Sequence, residues 1–380
     1  NVESSLSESR VEGFLEVPLS EAIPVTMLMG GEAFREWHLY PDSDQVLIGT
    51  QDMLISRALN RGYAASPFRW PWEFGLLNND CLWVVDEVQL MGNGLPTTVQ
   101  LQAFRDQLGV ALPCHTLWMS ATVAPDWLGT VDHSAPSQEN TFTLDSKDQA
   151  YSDLALRQHA VKSLSQLDVP SKGVMYHPTS VARAVLEHHK PGSMTLVVAN
   201  TVARAQALYD ALRRLPSEAE MVLVHSRFRP AERRSGNEKV VRPVSEAGLG
   251  QVVIATQAIE AGLDISARTL ITELAPWPSL VQRFGRCNRR GEYGYAEVYW
   301  LDVPSSMAAP YEPQDLDLAR ERMRALDGKS VAPALLPHFD DPHAHQAVLR
   351  KRDLMGLFDT TADLSGSYLD VSRYVRGTGD

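Results

Sequence analysis

Cysteine is scarce in this chain, with Cys81, Cys114 and Cys287 the only three among 380 residues. They show no paired spacing, which argues for a reducing compartment and against a disulfide scaffold or a zinc site. No apolar run approaches the ~20 residues that cross a bilayer, and the polar, acidic residues 1–13 do not resemble a signal peptide. We therefore expect a cytoplasmic protein that makes no contact with a membrane.

Positive charge is also in short supply, since 35 Lys and Arg face 47 Asp and Glu and the net charge is −12. Nucleic-acid-binding proteins are often basic, so this balance counts mildly against one, although a local basic groove stays compatible with it. Hydrophobic residues make up 44%, enough for a packed core. The length suits two or three domains of ~150 residues. The chain begins without Met, which we interpret as an excised piece of a longer protein.

The stretch LWVVDEVQLMG, residues 82–92, organises the rest of the chain. Its apolar residues 82–85 predict a strand buried on both faces, as in a parallel sheet. Asp86 and Glu87 follow at the carboxyl end of that strand, where ligands of open α/β sheets bind. The pair predicts either a site for a metal ion and an oriented water, or an ordinary solvated acidic turn.

Two successive runs of strands and helices predict an α/β fold with two parallel-sheet domains. In the first, residues 1–140, strands are predicted near 25–29, 46–48, 82–85 and 115–122, and helices at 53–62 and 98–109. In the second, residues 141–303, helices are predicted at 154–167 and 201–214, and strands at 195–200, 221–226, 252–257, 269–274 and 296–301. Residues 304–380 predict a helical and irregular extension.

Four motifs in a fixed order give a specific resemblance. They are WVVDEVQ at 83–89, MSAT at 119–122, ATQAIEAGLDIS at 255–266 and QRFGRCNRRGE at 282–292. Together they resemble the motor core of superfamily two helicases, which implies two RecA-like domains, the first incomplete here. GTQDML at 49–54 followed by DEVQLM resembles the CRISPR-associated helicase-nuclease of type I systems. The tail at 352–376 is similar to the type I-G branch, formerly I-U.

The resemblance implies ATP and Mg²⁺ as cofactors and assigns roles to named residues. Asp86 would hold Mg²⁺ through water, and Glu87 would orient the attacking water. Arg286 and Arg289, which the i, i+3 spacing predicts on one face of a helix, match the arginine fingers. Their alternative is a solvated or RNA-binding basic patch. The remaining matches are Gln282, Gly262 and Asp264 for the nucleotide, and Ser120 and Thr122 for coupling between the domains.

Some of these matches keep a simpler interpretation beside the functional one. Asp264 is otherwise a helix cap, and Ser120 and Thr122 are otherwise a small-residue turn after a strand.

The loops that follow the predicted β-strands are expected to form the nucleic-acid-binding face. Hydroxyls, amides and backbone N–H groups hold phosphates without reading sequence. The candidates are Gly31, Thr50, Gln51, Asn200, Thr201, Ser226, Arg227, Thr256 and Gln257. Arg227, Arg229, Arg233 and Arg234 add local positive charge. Each residue alone is a surface-loop residue as readily as a contact, so the argument depends on the set.

The chain departs from the family in three places. The phosphate loop G-x-x-x-x-G-K-[ST] is absent, and the GKS at 328–330 follows a predicted helix and has Met323 where the first Gly belongs. No His-Asp dipeptide of the family's nuclease occurs, and PHFDDPHAH at 337–345 reads more as a polar linker than as a metal site. Gln89 replaces the commoner His of the DEVH box. The resemblance places the loop upstream and the nuclease downstream, so this piece alone should hydrolyse ATP weakly or not at all.

We therefore predict an ATP-dependent DNA helicase or translocase motor of CRISPR interference. After recruitment to a Cascade-like surveillance complex it would bind single-stranded DNA and unwind or pull the target DNA, so that an HD nuclease of the same full-length chain can degrade it. The alternatives are a related motor that acts on RNA or other DNA, and a degenerate motor that serves as a docking module.

Overall fold

The computed structural model describes most of the chain. The described ranges are 23–29, 37–120, 125–137, 140–145, 147–148, 151–169, 171–172, 175–260, 263–337, 339, 347–359 and 369–376. The chain forms two compact units, one of residues 1–142 with 340–380 and one of residues 143–339. The sequence had set residues 304–380 apart as one extension, whereas this division gives 304–339 to the second unit and 340–380 to the first.

The first unit contains two pairs of parallel strands. They are β1 (Val25–Leu28) with β2 (Val46–Gly49), and β3 (Cys81–Val85) with β4 (Cys114–Trp118). Its longer helices are α1 (Gln51–Ala58), α2 (Trp70–Leu77) and α3 (Gly94–Leu108). As predicted, α3 ends at a glycine, since Gly109 takes a φ of +80° that residues with a Cβ rarely adopt.

The prediction that β3 is buried on both faces is wrong. Leu82 and Val84 are 69% and 55% exposed, whereas Val85 is 7% exposed. Successive side chains of a strand point to opposite faces, so one face of β3 packs inward and the other carries apolar side chains to the surface. An apolar run predicts the strand but does not tell which of its faces is covered.

The second unit is built on six strands, β5 (Lys162–Gln166), β8 (Met194–Val198), β9 (Glu220–Val224), β10 (Gln251–Ala255), β11 (Thr269–Glu273) and β12 (Ala296–Leu301). They form one parallel sheet in the order β5-β12-β11-β8-β10-β9, which confirms the predicted α/β fold. A short hairpin, β6 (Ser171–Lys172) and β7 (Met175–Tyr176), lies between β5 and β8 in sequence. The helices are α4 (Ser152–Gln158), α5 (Pro178–His188), α6 (Val202–Arg213), α7 (Pro230–Val241), α8 (Trp277–Phe284) and α9 (Pro313–Leu326).

Every residue of β8, β10 and β11 is buried, as expected for central parallel strands covered on both faces. Leu196 and Val198 belong to one apolar cluster, and Val197 belongs to another. The alternation places a core on each side of the sheet. The continuous apolar runs of the sequence predict this layered arrangement correctly here.

One predicted helix is partly a strand. The sequence predicted a helix over residues 154–167, but α4 ends at Gln158 and residues 162–166 form β5 at the sheet edge, paired with β12. Lys162 and Leu164 are buried while Ser163 and Ser165 are half-buried, which is the alternation of a strand. Pairing with β12 therefore decides the conformation of a segment whose local pattern was ambiguous.

The described residues after 340 contain two short helices, α10 (Lys351–Gly356) and α11 (Ser372–Val375), and add no strand. Six side chains of the first unit donate hydrogen bonds to backbone carbonyls of this tail. The donors are Gln51, Asn60, Arg61, Asn93, Thr97 and Gln100, and the acceptors are the carbonyls of Val375, Leu357, Arg373, Tyr374 and Leu349. Tyr374 and Val375 also join the apolar core of that unit.

None of the helices among the described residues is long and apolar enough to pass through a bilayer.

Replacing Leu196 by Ala should lower the free energy of unfolding by about 2–5 kcal/mol, because it leaves a cavity at the centre of the sheet. Urea denaturation measures the change. Leu335→Ala is the matched control, since that side chain is 61% exposed and its loss should cost less than about 0.5 kcal/mol. Equal losses in the two variants would contradict the assigned core.

Candidate functional site

Asp86 and Glu87 lie at the carboxyl end of β3, as the sequence predicts. Asp86 is exposed, and its Oδ1 accepts a hydrogen bond of 2.9 Å from the backbone N–H of Glu87. Glu87 has a φ of +51°, a left-handed conformation that a residue with a long side chain seldom adopts. The strand therefore ends in a turn whose second residue, Glu87, is left-handed.

A hydrogen-bond chain joins the ends of β3 and β4. Gln89 Nε2 donates to Glu87 Oε2 over 2.6 Å, and the Ser120 hydroxyl donates to Gln89 Oε1. The Val88 N–H donates to the carbonyl of Met119 over 3.2 Å, which holds the two turns together. Gln89 thus links Glu87 to Ser120, the predicted coupling residue. It does so although it replaces the commoner His of the DEVH motif.

Arg283, which is not among the residues predicted from the sequence, organises the second unit. Its guanidinium is fully buried and donates to the Glu260 carboxylate at 2.8 Å, the Thr272 hydroxyl at 2.8 Å and Asn200 Oδ1 at 3.1 Å. It also donates to the Glu273 carbonyl and the Tyr311 hydroxyl. The signal was present, since Arg283 stands in the same QRFGR motif as the predicted fingers.

The prediction that Arg286 and Arg289 share one face of a helix is wrong. Helix α8 ends at Phe284, with Gly285 as its C-cap, so both arginines lie in the turn that follows. Arg286 is buried and donates to the carbonyls of Glu260 and Leu263, at 2.5 Å and 2.9 Å. Arg289 is exposed and forms an ion pair with Asp264 at 3.1 Å.

The two arginines therefore differ in what they can reach. The Arg286 guanidinium is committed to backbone carbonyls within its own unit. Arg289 and its partner Asp264, whose side chain is 63% exposed, present charge at the surface. An exposed ion pair of this kind contributes little to stability, so its guanidinium is free to exchange partners at small cost. Gln282 is half-buried on α8.

The predicted strand-binding residues divide by burial. Thr50, Ser226 and Arg227 are exposed, and Gln51, Thr201 and Gln257 are half-buried. Asn200 and Thr256 are 1% and 3% exposed. Gly31, Thr122 and Gly262 lie outside the described residues.

Burial at two of these positions follows from contacts inside the second unit. The Asn200 amide binds Arg283 and donates to the carbonyl of Leu274 at 2.7 Å. The Thr201 hydroxyl caps α6 by accepting from the N–H of Arg204. These two side chains thus shape the loop after β8.

Glu273 is the second residue that the sequence analysis overlooked. It ends β11 and is 2% exposed, with its carboxylate accepting from the backbone N–H of Asn200 at 2.6 Å. Burial raises the pKa of Glu273 to about 7, against the lowering effects of the Asn200 N–H and of Arg283. It contacts the Tyr176 hydroxyl, and Arg204 Nε lies 3.0 Å from its Oε2.

The described residues contain no group of three or more His, Cys, Asp or Glu placed to bind one metal ion. The histidines at 338, 343 and 345 and the aspartates at 340 and 341 lie outside them. Asp86 and Glu87 provide two carboxylates at one turn, which suits Mg²⁺ because that ion keeps several waters and needs only one or two protein carboxylates.

Residues 191–292 match the family model described as the C-terminal part of the CRISPR-associated nuclease/helicase Cas3. This region is homologous to Cas3 helicases. The chain is 34% identical over 151 residues to a CRISPR-associated helicase Cas3 of Thermoproteus tenax, covering 40% of this chain and 25% of that protein. It is 36% identical over 147 residues to a Cas3 nuclease/helicase of Myxococcus xanthus, covering 38% and 19%.

Solved structures share the fold. A crystal structure of T. fusca Cas3 has a TM-score of 0.59 at 19% identity, covering 83% of this chain and 42% of that one. T. fusca Cas3 with ATP gives 0.54 at 20% identity, covering 80% and 40%. A CRISPR RNA-guided surveillance complex in a pre-nicking state gives 0.52 at 20%, covering 78% and 40%. The chain thus spans a quarter or less of the two curated relatives and about two fifths of these structures.

Replacing Arg283 by Met should lower the free energy of unfolding by about 3–5 kcal/mol, because the Glu260 carboxylate is left buried without its partner. Urea denaturation of the protein measures the loss of free energy. Arg324→Ala is the control, since that side chain is 62% exposed and lies 3.7 Å from Asp302, a pair worth less than about 1 kcal/mol. A small effect of Arg283→Met would contradict the role of Arg283 as the organising residue.

Replacing Glu273 by Gln should change how stability depends on pH. The folded state holds the Glu273 proton up to about pH 7, whereas an unfolded glutamate releases it near ~4.3. The wild-type free energy of unfolding should therefore fall, relative to the variant, as pH rises through this window, and stay level above it. Urea denaturation at pH 5 and pH 8 measures the difference. A difference that grows with pH would show that the nearby Arg204 dominates.

Proposed function

We propose that this chain is part of an ATP-driven DNA helicase or translocase of CRISPR interference. The observation that carries the proposal is the acidic turn after β3, where Glu87 is linked through Gln89 to Ser120 after β4. A turn that orients a carboxylate and connects it to a neighbouring strand end suits a site where hydrolysis is coupled to movement. Homology of residues 191–292 to Cas3 supports the same activity.

The roles of the acidic pair follow from phosphoryl-transfer chemistry. Asp86 would hold Mg²⁺ through water, and the ion would neutralise charge on the ATP phosphates. Glu87 would accept a proton from the attacking water or orient it. Positioning and charge neutralisation supply most of the catalysis in this reaction, which two carboxylates and a metal ion provide.

Arg289 is the better of the two proposed arginine fingers. It is exposed and forms a surface ion pair with Asp264, so nucleotide phosphates would replace that carboxylate as its partner. Arg286 would instead hold the turn that presents Arg289, through its bonds to the carbonyls of Glu260 and Leu263. Gln282, Gly262 and Asp264 complete the proposed nucleotide contacts.

The DNA strand would contact the exposed or half-buried loop residues. Thr50, Ser226 and Arg227 offer hydroxyl and guanidinium donors for phosphates. Asn200 and Thr256 would act through the shape of their loops, because their side chains are buried. Gly31 and Thr122 keep the proposed strand-binding and coupling roles.

The longer protein would include the parts that this chain does not supply. A surveillance complex would recruit it, an HD nuclease domain would degrade the strand that it pulls, and a phosphate loop would complete the ATP site. The tail at 352–376 supports assignment to the type I-G branch. On this proposal the 380 residues alone hydrolyse ATP weakly or not at all.

Replacing Glu87 by Gln in the full-length protein should lower ATP turnover stimulated by single-stranded DNA by about 10²-fold or more, since the water loses its acceptor. The matched control is Asp80→Asn, an exposed acid immediately before β3, at the end of the strand away from Glu87. It should retain normal turnover. Stimulation by RNA and not by DNA would favour a related motor on another substrate, and intact interference by Glu87→Gln would favour a docking module.

A further inference from the structure

Two of the three cysteines, 33 positions apart in sequence, are neighbours in the fold. Cys81 and Cys114 are the first residues of β3 and β4, and they are register partners in the parallel ladder. Neighbouring strands lie ~4.8 Å apart, within the ~4.4–6.8 Å between Cα atoms that a disulfide spans. Both cysteines are free thiols.

A buried cation lies beside these thiols. The Arg105 guanidinium of α3 is 6% exposed and donates to neutral acceptors, Asn78 Oδ1 at 2.9 Å and the Thr116 hydroxyl at 3.3 Å. Among the ion pairs of the described residues, none includes Arg105. Burial lowers the pKa of Arg105, and the charges that raise it are Cys114, then Cys81, then Asp106. A thiolate here would place a negative charge beside this buried cation.

The surroundings make the two sulfurs chemically unequal. The neighbouring Cys81 and then the Arg105 charge lower the pKa of Cys114 to about 7, against the effect of burial. The neighbouring Cys114 and then burial raise the pKa of Cys81. Cys81 Sγ also lies 3.0 Å and 3.1 Å from the carbonyl oxygens of Leu76 and Asn79, which favours its protonated form. The geometry thus provides a thiolate and an adjacent thiol.

We propose that Cys81 and Cys114 form a redox site that a hydroperoxide converts into a disulfide. The Cys114 thiolate attacks the peroxide oxygen, the O–O bond breaks, and Cys114 becomes a sulfenic acid while an alkoxide or hydroxide leaves. Cys81 then attacks the sulfenic sulfur, the S–S bond forms, and the displaced hydroxide leaves as water with the Cys81 proton. A dithiol reductant reverses the step by thiol–disulfide exchange.

This site is placed where it can act on the proposed motor. The cross-link joins the first residues of β3 and β4, whose opposite ends carry the acidic turn and Ser120. It would fix the two strands against sliding, so oxidation should raise the thermal stability of the first unit. The oxidation itself requires neither ATP nor a DNA strand. A test of the redox site is therefore independent of the proposed function.

Peptide mapping of the reduced full chain after treatment with hydrogen peroxide tests the site. Digestion without reductant should give one peptide pair that links Cys81 to Cys114, with a mass about 2 Da below the sum of the two thiol peptides. Cys114→Ser should abolish the pair. Cys287→Ser is the matched control and should leave it intact, since Cys287 belongs to the second unit and its pKa is raised to about 12, first by burial.

A second variant keeps the test decisive if the link is strained. In Cys81→Ser the Cys114 sulfenic acid has no thiol to capture it, and dimedone should label it at pH 7 in preference to Cys287. Failure to find either the linked pair in the wild-type chain or the label in Cys81→Ser would overturn the proposal. A disulfide found only between chains would overturn it as well.

Discussion

A single buried guanidinium holds the ends of several strands of the second unit together. The Arg283 side chain projects from α8 and hydrogen-bonds to three residues. They are Asn200 in the loop after β8, Thr272 near the end of β11 and Glu260 in the turn after β10. A buried charge is costly unless hydrogen bonds surround it, so these elements hold their positions as a set. The loops that carry the proposed DNA and nucleotide contacts are therefore held in place by the same Arg283 side chain.

The sequence predicts the buried strands of the second unit but not the directions of the side chains that follow them. Residues with long apolar runs, such as those of β8, β10 and β11, predict buried parallel strands, and the structure has them. A side chain's direction is a different matter. Asn200 and Thr256 follow strands as expected, yet Asn200 is turned toward Arg283 and Leu274, contacts that depend on residues more than 70 positions away.

The other departures have the same physical origin. The i, i+3 spacing of Arg286 and Arg289 is a valid helical pattern, but Gly285 ends the helix before either residue. Residues 162–166 become a strand because β12 offers backbone partners at the sheet edge. The spacing of the cysteines concealed the pair at 81 and 114, since a parallel ladder brings together positions from distant parts of the chain. Glu273, in contrast, ends a strand as Asp86 does, and that pattern was available in the sequence.

The tail of the first unit is held in an unusual manner. Six side chains of the body donate to its backbone carbonyls, and every peptide unit has a carbonyl whatever its side chain. Recognition of this kind depends on the path of the chain and on a few apolar anchors such as Tyr374 and Val375. The outward-facing tail positions are therefore open to evolutionary drift, and this surface can acquire new specificity while the attachment itself persists.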